Sequence, residues 1–408
     1  MTSRFRCSVV ALRSLVICSG LLLVACASAP PREAPLPIGL HPVTTVLGLS
    51  DARNWADQAS PDMNEWYAAS DEIYQQHFSG ILGRQHHYLA LSGGGENGAF
   101  SAGLLAGWTA SGQRPEFTLV TGVSTGALIA PYAFLGADYD DTIKDVYTNY
   151  AAEDLVKKRR LLKIIRNDAV TDSTPMKALI DRYMTSTVMK KIAIEHRKGR
   201  MLFIGTTDLD AARPVMWDIG EIAASGHPDA LALIRNIQLA SASIPVGVPP
   251  VMIEVEAGGK RYDEMHVDGG VTQQVFLYPL GIDWQRVEER MQLPSKPKVY
   301  LVRNAYLEPT WEPVERKLTP IAGRTISSLI RTQGIGDIYR VYIAALRDGL
   351  DFNLAYIPAD FLENVPETSG LVYMRRLYNM AYTMARNGYP WEATPPGYKP
   401  EESVADAP

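Results

Sequence analysis

Short apolar runs alternate with longer helical patterns from about residue 86 onward. The runs HHYLALS, FTLVTGVS, MLFIGTTDL and KVYLVRNA have the length and composition of buried strands. The segments AFSAGLLAGWTA, TGALIAPYAFLG and ALALIRNIQLASAS have helical composition. Strands that alternate with helices predict an α/β fold, in which helices cover a mostly parallel sheet.

Two flanking regions have a different pattern. Residues 46–85 carry aromatic side chains scattered among polar ones, which predicts a helical N-terminal extension packed onto the domain. Residues 311–408 contain long helical patterns, one strand-like segment (DFNLAYIP) and a polar, proline-containing tail. They predict a C-terminal helical extension with a disordered tail. The central domain is therefore expected over residues 86–310.

The first 25 residues have the pattern of a signal peptide. Three arginines precede the apolar run SLVICSGLLLVA, which is shorter than the roughly 20 residues that a membrane span needs. The run ends in Leu23-Val24-Ala25-Cys26, which resembles a bacterial lipobox. That resemblance implies lipidation of Cys26 after cleavage, and residues 26–45, rich in proline and alanine, then form a tether.

An ordinary signal peptide, cut after Ala27 or Ala29, is the alternative. Under the lipobox interpretation, the protein is expected in the bacterial cell envelope, attached to the membrane by its N-terminal lipid. Residue 27 is alanine rather than aspartate. By resemblance to Gram-negative lipoproteins, this favours the outer membrane.

Composition narrows the classes of function. The chain of 408 residues is 46% apolar and 21% charged, enough for a packed core, and its formal net charge of −5 argues against a nucleic-acid partner. All three cysteines lie in the first 26 residues, so no disulfide is expected in the mature domain. We found no convincing metal-ligand cluster in the sequence and expect no cofactor. Composition leaves the oligomeric state open.

A glycine-rich loop follows the first predicted strand. Gly93, Gly95 and Gly98 fit the G-x-G-x-x-G pattern of dinucleotide-binding loops, but the same backbone amides could instead face an oxyanion. A dinucleotide site also needs an acidic residue about 20 positions on, at the end of the second strand. Glu116 has nearly that spacing but stands at the start of the strand, which disfavours the cofactor.

The second predicted strand ends in a serine motif. Gly122-Val123-Ser124-Thr125-Gly126 has the form G-x-S-x-G between a strand and a helix, the context of a nucleophile elbow. The glycine loop lies only 29 positions upstream, counted from Gly95 to Ser124. Because both motifs follow parallel strands, both are expected at the same edge of the sheet.

A serine nucleophile needs a proton acceptor, and HVDGGV offers two. His266 and Asp268 point to the same face if the preceding KRYDEMHV is a strand. Asp268 stands at the end of that strand and is followed by Gly269-Gly270. The sequence pattern alone leaves both residues as candidates.

Four motifs in this order resemble the patatin-like phospholipase family over about residues 86–280. They are the glycine loop, G-x-S-x-G, the small-residue block LASASIPVGVPPV and D-G-G. The resemblance implies a three-layer α/β/α fold and a lipid or phospholipid substrate. It also implies a Ser124/Asp268 dyad, with the amides of Gly93, Gly94 and Gly95 as the oxyanion hole.

One position departs from the family pattern, and two other functions stay open. The family loop usually carries Arg or Lys where this chain has Asn97. One alternative is an α/β-hydrolase triad with His266 as the base and Asp208 or Asp210 as its orienting acid. The other is a lipoprotein that binds lipid or protein without catalysis.

A basic segment, KKRRLLKIIR, contrasts with the acidic chain around it. It is expected to be either a solvated helix that covers the core or a surface that contacts anionic lipid headgroups.

Overall fold

The structure is a computed structural model that describes residues 32–60, 63–159, 168–279, 281–309, 311, 313–363 and 369–399. The predicted signal peptide, the lipidation site Cys26 and the polar tail beyond residue 399 lie outside the described residues. Most of the basic segment at residues 157–166 also lies outside them, so its two interpretations stay predictions.

Eleven strands are present in the described part of the chain. They are β1 (Arg53–Trp55), β2 (His87–Leu91), β3 (Leu119–Val123), β4 (Lys157–Lys158), β5 (Thr171–Asp172), β6 (Met201–Asp208), β7 (Arg213–Asp218), β8 (Val251–Ala257), β9 (Lys260–Asp268), β10 (Lys298–Arg303) and β11 (Asp351–Tyr356).

The helices of the described residues lie between and after these strands. They are α1 (Met63–Ala68), α2 (Asp71–His77), α3 (Gly98–Ala110), α4 (Thr125–Leu135), α5 (Asp140–Asn149), α6 (Ala152–Leu155), α7 (Thr174–Tyr183), α8 (Ser186–His196), α9 (Ile219–Ala224), α10 (Ala230–Ser241), α11 (Trp284–Met291), α12 (Leu318–Arg347), α13 (Asp360–Glu363) and α14 (Gly370–Arg386).

Nine of the strands form one mixed sheet. Its main path runs β1-β7-β6-β3-β2-β10-β11, and β9 pairs with β6 and β8. Along this path, five neighbouring strands are parallel: β6, β3, β2, β10 and β11. The other four strands, β7, β1, β9 and β8, run antiparallel to their neighbours. The predicted three-layer α/β/α fold with a mostly parallel sheet is confirmed. The carboxyl ends of β2, β3 and β10 meet at one edge, which we call the active-site edge.

The parallel strands are apolar because helices cover both faces of the sheet. The helix α3 packs so closely on α14 that a β-carbon at Gly103 would lie 2.1 Å from the carbonyl oxygen of Tyr378. At Gly107 the corresponding distance to the Tyr382 carbonyl oxygen is 2.2 Å. The C-terminal segment is therefore packed into the domain through two glycines of α3.

Both flanking regions contribute a strand to the sheet. The N-terminal extension, expected to be helical, also forms β1, which pairs with β7 and becomes the edge strand. In the C-terminal extension, the strand-like segment DFNLAYIP forms β11, which pairs in parallel with β10. Periodicity indicates helix or strand locally, but it does not show which edge of a sheet is left open for a further strand.

Residues 32–45, which belong to the tether predicted at residues 26–45, lie on the hairpin formed by β8 and β9. Arg32 contacts Asp210 and donates 2.8 Å to the carbonyl oxygen of Asp263. Leu36 is buried against Val255 and Ala257. The proline-rich composition predicts extended chain, and in the structure the described part of this chain also makes backbone bridges to β8 and β9. Among the described helices, none has the length and apolar character needed to cross a bilayer.

Candidate active site

Ser124 occupies a strained turn between β3 and α4. Its backbone has φ 55° and ψ −122°, a region that residues other than glycine rarely adopt. The side chain is largely buried, at 7% exposure, and lies at the active-site edge. This is the local geometry that the G-x-S-x-G pattern predicts, because a sharp strand-to-helix turn projects the serine hydroxyl beyond the sheet.

The glycines on either side of Ser124 allow this turn to pack. A β-carbon on Gly122 would lie 2.4 Å from the carbonyl oxygen of Gly126. One on Gly126 would lie 2.3 Å from the carbonyl oxygen of Leu91, at the end of β2. Any larger residue at either position must therefore displace backbone that also holds the glycine loop.

Asp268 lies beside Ser124 at the end of β9. Strand β9 pairs antiparallel with β6, so Asp268 lies opposite Thr206. The residue before Thr206, Gly205, lies opposite Val123, which directly precedes Ser124. Burial raises the pKa of the Asp268 carboxyl to about 6, although a side-chain hydrogen bond with Ser124 and the amide of Gly270 oppose the shift. The amide of Gly270 donates 2.8 Å to Oδ1 of this carboxyl.

The small-residue block that begins at the end of α10 joins the serine turn to Asp268. The hydroxyl of Ser241 accepts from the backbone amide of Ser124 at 2.9 Å and donates to the carbonyl oxygen of Gly205 at 2.6 Å. The carbonyl oxygen of Ser243 accepts from the amide of Asp268 at 2.9 Å. The sequence identified LASASIPVGVPPV only by family resemblance, and these hydrogen bonds supply its structural role.

The glycine loop lies against Ser124, but its three amides are not equivalent. A β-carbon on Gly93 would lie 3.8 Å from the Ser124 hydroxyl oxygen. However, the amide of Gly93 already donates to the carbonyl oxygen of Gln274 at 3.0 Å, so it is not free for an oxyanion. Gly94 and Gly95 are exposed, and within the described residues their amides donate to no protein acceptor. The prediction that Gly93 donates to an oxyanion is therefore wrong, because sequence spacing cannot tell which amide the fold uses internally.

Glu96 and Asn97 dock this loop onto the C-terminal helix. The Glu96 carboxylate accepts from the amide of Ala152 at 3.0 Å and from the amide of Gly370 at 2.9 Å. These are the first residues of α6 and α14, whose free amides favour a negative charge. The hydroxyl of Tyr373 donates to the Asn97 side-chain oxygen at 2.6 Å. The departure from the family loop thus has a structural explanation in the docking of α14.

A buried cation lies behind the loop, supplied by Arg303 at the end of β10. Its Nη1 is 3.3 Å from the carbonyl oxygen of Gly93 and 3.3 Å from the side-chain oxygen of Gln274. Burial lowers the pKa of Arg303 to about 10, while the nearby Asp337 opposes that shift, so the guanidinium stays charged at neutral pH. The sequence analysis missed this residue. Its only signal was an arginine at the end of the apolar strand KVYLVR.

Gln274 and Asp337 complete a polar network around Arg303. The side-chain nitrogen of Gln274 donates to the carbonyl oxygen of Gly270 at 2.7 Å, and the backbone amide of Gln274 donates to the Asp337 carboxylate at 2.7 Å. The network therefore connects the glycine loop, the Asp268 turn and α12 below the site.

An apolar cavity of about 270 Å³ opens beside Ser124. Its walls come from α4, α5, α7 and the segment after α10. The lining includes Leu128, Tyr132, Tyr147, Met176, Ile180 and Val248. Apolar walls that end at a buried hydroxyl suit an alkyl chain whose polar end reaches the serine.

His266 is held away from this site. Its Nδ1 is 3.0 Å from the Thr206 hydroxyl, and its Nε2 is 3.0 Å from Oε2 of Glu264. With both ring nitrogens engaged, His266 has none left for Ser124. The structure contradicts the alternative triad, in which His266 was to be the base and Asp208 or Asp210 its orienting acid. Asp210 instead pairs with Arg32.

Glu264 belongs to a buried charge cluster that the sequence did not reveal. Ligand atoms of His41, Asp208 and Glu264 lie within 4.8 Å of one another. The guanidinium of Arg53 already stands 2.8 Å from Glu264 and 3.7 Å from Asp208. This cluster joins β1 and the segment before it to β6 and β9, and its positive charge comes from Arg53.

The fold and these contacts define an α/β/α protein with a serine-hydrolase-type turn. Residues 89–280 match the family model described as patatin-like phospholipase, so this part of the chain is similar to the patatin-like phospholipase domain. This match supports a lipid acyl hydrolase.

The comparisons with solved structures and with curated proteins add no evidence on function. Among solved structures, the chain is similar to the crystal structure of VipD from Legionella pneumophila, with 12% identity and a TM-score of 0.34. The similarity covers 74% of this chain and 66% of that one, slightly under two thirds of its length. No curated protein matches the chain.

Proposed function

We propose that this protein is a serine acyl-ester hydrolase that releases fatty acids from lipids, as a phospholipase A or lysophospholipase does. The observation that carries the proposal is the hydrogen bond between Ser124 and Asp268, with Ser124 in the lining of an apolar cavity. The family match at residues 89–280 supports the same substrate class. No cofactor takes part in the proposed reaction.

In the proposed first step, the Ser124 hydroxyl oxygen attacks the ester carbonyl carbon. Its proton passes to the Asp268 carboxylate, and the carbonyl oxygen becomes an oxyanion. An aspartate whose pKa is raised to about 6 is a stronger base than an ordinary aspartate, yet it remains ionised at neutral pH. This balance suits a dyad that works without histidine.

The exposed amides of Gly94 and Gly95 are the proposed oxyanion donors. Gly95 has φ +57°, a backbone conformation that glycine adopts at little cost. Donors fixed in place before the reaction stabilise the developing charge, and the loss of one typically costs about 3 kcal/mol.

The acyl-enzyme then forms and breaks down. The tetrahedral intermediate collapses, the carbon–oxygen bond to the leaving alcohol breaks, and Asp268 returns the proton to that alcohol. A water molecule next attacks the acyl-serine and gives a proton to Asp268. Collapse of this second intermediate releases the fatty acid, and the proton returns to Ser124.

We also propose attachment of the domain to the bacterial outer membrane through a lipid on Cys26. The sequence pattern at residues 1–26 supports this. A lipid anchor would keep the enzyme near its substrate.

Labelling with a fluorophosphonate probe tests the nucleophile. The wild-type protein should gain one adduct that maps to Ser124, and Ser124→Ala should gain none. Ser111→Ala, at the distant end of α3, is the matched control and should label like the wild type. A folded wild-type protein that does not label would instead favour a lipid-binding protein without catalysis.

A further inference from the structure

The helix α12 is much longer than the sheet beside it. It has 30 residues, whereas the strands that it connects, β10 and β11, have six residues each. Gln333 donates to the carbonyl oxygen of Val271 at 3.4 Å, which places that turn of α12 at the level of the Asp268 loop. The preceding 15 residues, 318–332, extend roughly 22 Å past this level at 1.5 Å per residue. We call residues 318–332 the helical arm.

The two halves of α12 have opposite environments. From Gly334 onward the helix packs on the domain, and Asp337, Ile338 and Val341 are buried. In the arm, nine of the ten residues from Ile321 to Ile330 are exposed. A helix of this length is only marginally stable in water without a surface to pack on, so the arm fits a role that includes a partner.

The side chains of the arm are sorted by face. At 100° per residue, five large aliphatic side chains fall within one half of the helix circumference, and three basic side chains fall on the other half. The aliphatic set is Leu318, Ile321, Ile326, Leu329 and Ile330, each exposed by 39% or more. The basic set is Arg324 and Arg331 within the arm and Lys317, which immediately precedes the arm and pairs with Glu315.

The charge of the arm is unlike that of the rest of the chain. The segment from Arg316 to Gly336 contains four basic residues and no Asp or Glu, in a protein with a formal net charge of −5. An apolar face opposite a basic face is the composition of helices that lie in the interface of an anionic membrane. A protein partner could use the apolar face, but an anionic bilayer satisfies both faces at once.

Other exposed apolar side chains lie at the same edge of the domain. Ile244, at 50% exposure, lines the Ser124 cavity, and Val246 is 71% exposed two residues later. Val271, which follows the Asp268 turn, is 44% exposed. The cavity mouth and the arm thus present apolar surface together, on the side from which a lipid would enter.

From this arrangement we infer that the helical arm is a docking surface for anionic lipid bilayers, which positions the cavity mouth against the membrane. This inference goes beyond the proposed hydrolase function. It rests on that function only to explain why docking would help the protein. The arm inserts its aliphatic face among the acyl chains, and its basic face meets the headgroups.

Hydrogen–deuterium exchange tests the docking without relying on catalysis. The full chain with Ser124→Ala is used so that no lipid is consumed. Exchange at residues 318–332 should slow on addition of vesicles that contain phosphatidylglycerol, and much less with phosphatidylcholine alone. Unchanged exchange in the arm, or equal protection by both vesicles, would overturn the inference. Protection that follows protein concentration without vesicles would instead assign the arm to contacts between two copies.

A matched pair of double variants tests the consequence for turnover. Ile326→Ser/Leu329→Ser removes two aliphatic side chains from the arm. Ile343→Ser/Leu346→Ser removes the same residue types at the same spacing from exposed positions on the packed half of α12.

The arm variant should hydrolyse anionic vesicles at least about 10-fold more slowly, because each buried methylene contributes to insertion. Its rate on a water-soluble ester should be unchanged. The control variant should retain both rates. An equal loss of rate on both substrates would contradict docking. A wild-type protein that hydrolyses no ester would count against the proposed function, but the exchange experiment would still test docking.

Discussion

The buried carboxylate of Asp268 is expected to destabilise the folded protein at neutral pH, and the substitution Asp268→Asn tests this. The pKa of Asp268 is about 6 in the folded protein, against 3.8 for an unperturbed aspartate. Between these values the folded protein holds a proton that the unfolded chain has released, so stability falls as the pH rises. At 1.36 kcal/mol per pH unit, the full difference is about 3 kcal/mol above pH 6.

Asparagine keeps an acceptor for the Gly270 amide and removes the buried charge. We therefore expect Asp268→Asn to be more stable than the wild type by about 3 kcal/mol at pH 7.5. The advantage should shrink as the pH falls through 6 and vanish only below the unfolded-state pKa of 3.8, where the carboxyl is protonated in both states of the wild type. The carboxyl is only 6% exposed, so solvent screening does not reduce this figure much.

Urea unfolding of both proteins at pH 7.5, 6 and 4.5 is the assay, and the free energies of unfolding are compared at each pH. Asp351→Asn, at an exposed carboxyl, controls for the general effect of the substitution. A stability difference that is the same at every pH would refute the reasoning, and so would a less stable Asp268→Asn at pH 7.5. The variant should also lose hydrolase activity, because it removes the proposed base.

Three further predictions concern catalysis and anchoring. The wild-type hydrolysis rate should rise with pH through about 6 and then level off, since Asp268 must be ionised to accept the serine proton; a profile centred above 8 would contradict this. Arg303→Met should lower kcat about 10-fold and reduce stability by about 2 kcal/mol, because it leaves the Gly93 and Gln274 oxygens without their buried donor and removes one of the two cations near Asp337, the other being Arg340. Adding Asp337→Asn should recover part of the stability but not kcat, and recovery of both would make Arg303 purely structural. Cys26→Ser should release the protein from the membrane fraction, as measured by detergent partitioning, whereas unchanged partitioning would contradict lipidation there.

Local motifs predicted the serine turn and Asp268 because each depends on a few adjacent residues. The strand-to-helix position of Ser124 and the strand end at Asp268 follow from short patterns, and the sheet brings them together. The same logic failed for Gly93, whose amide is used by Gln274 from 181 positions downstream in the sequence. No local pattern carries that pairing.

The remaining features arise from long-range packing. The role of Arg303 depends on β10 lying beside β2, and the docking of Glu96 depends on α14, which begins at residue 370. His266 was a reasonable base by sequence, yet Thr206 and Glu264 hold both its ring nitrogens. Such tertiary partners are set by sheet order, which short-range periodicity does not specify.

Fatty-acid release from phospholipid vesicles by the purified full chain tests the central claim most directly. The account predicts that the wild type produces free fatty acid and that Ser124→Ala and Asp268→Asn, both folded, produce none above background. His266→Gln, which alters only the buried cluster, should keep its reaction if the protein remains folded. Release that persists in Ser124→Ala, or that requires His266 but not Asp268, would contradict the account.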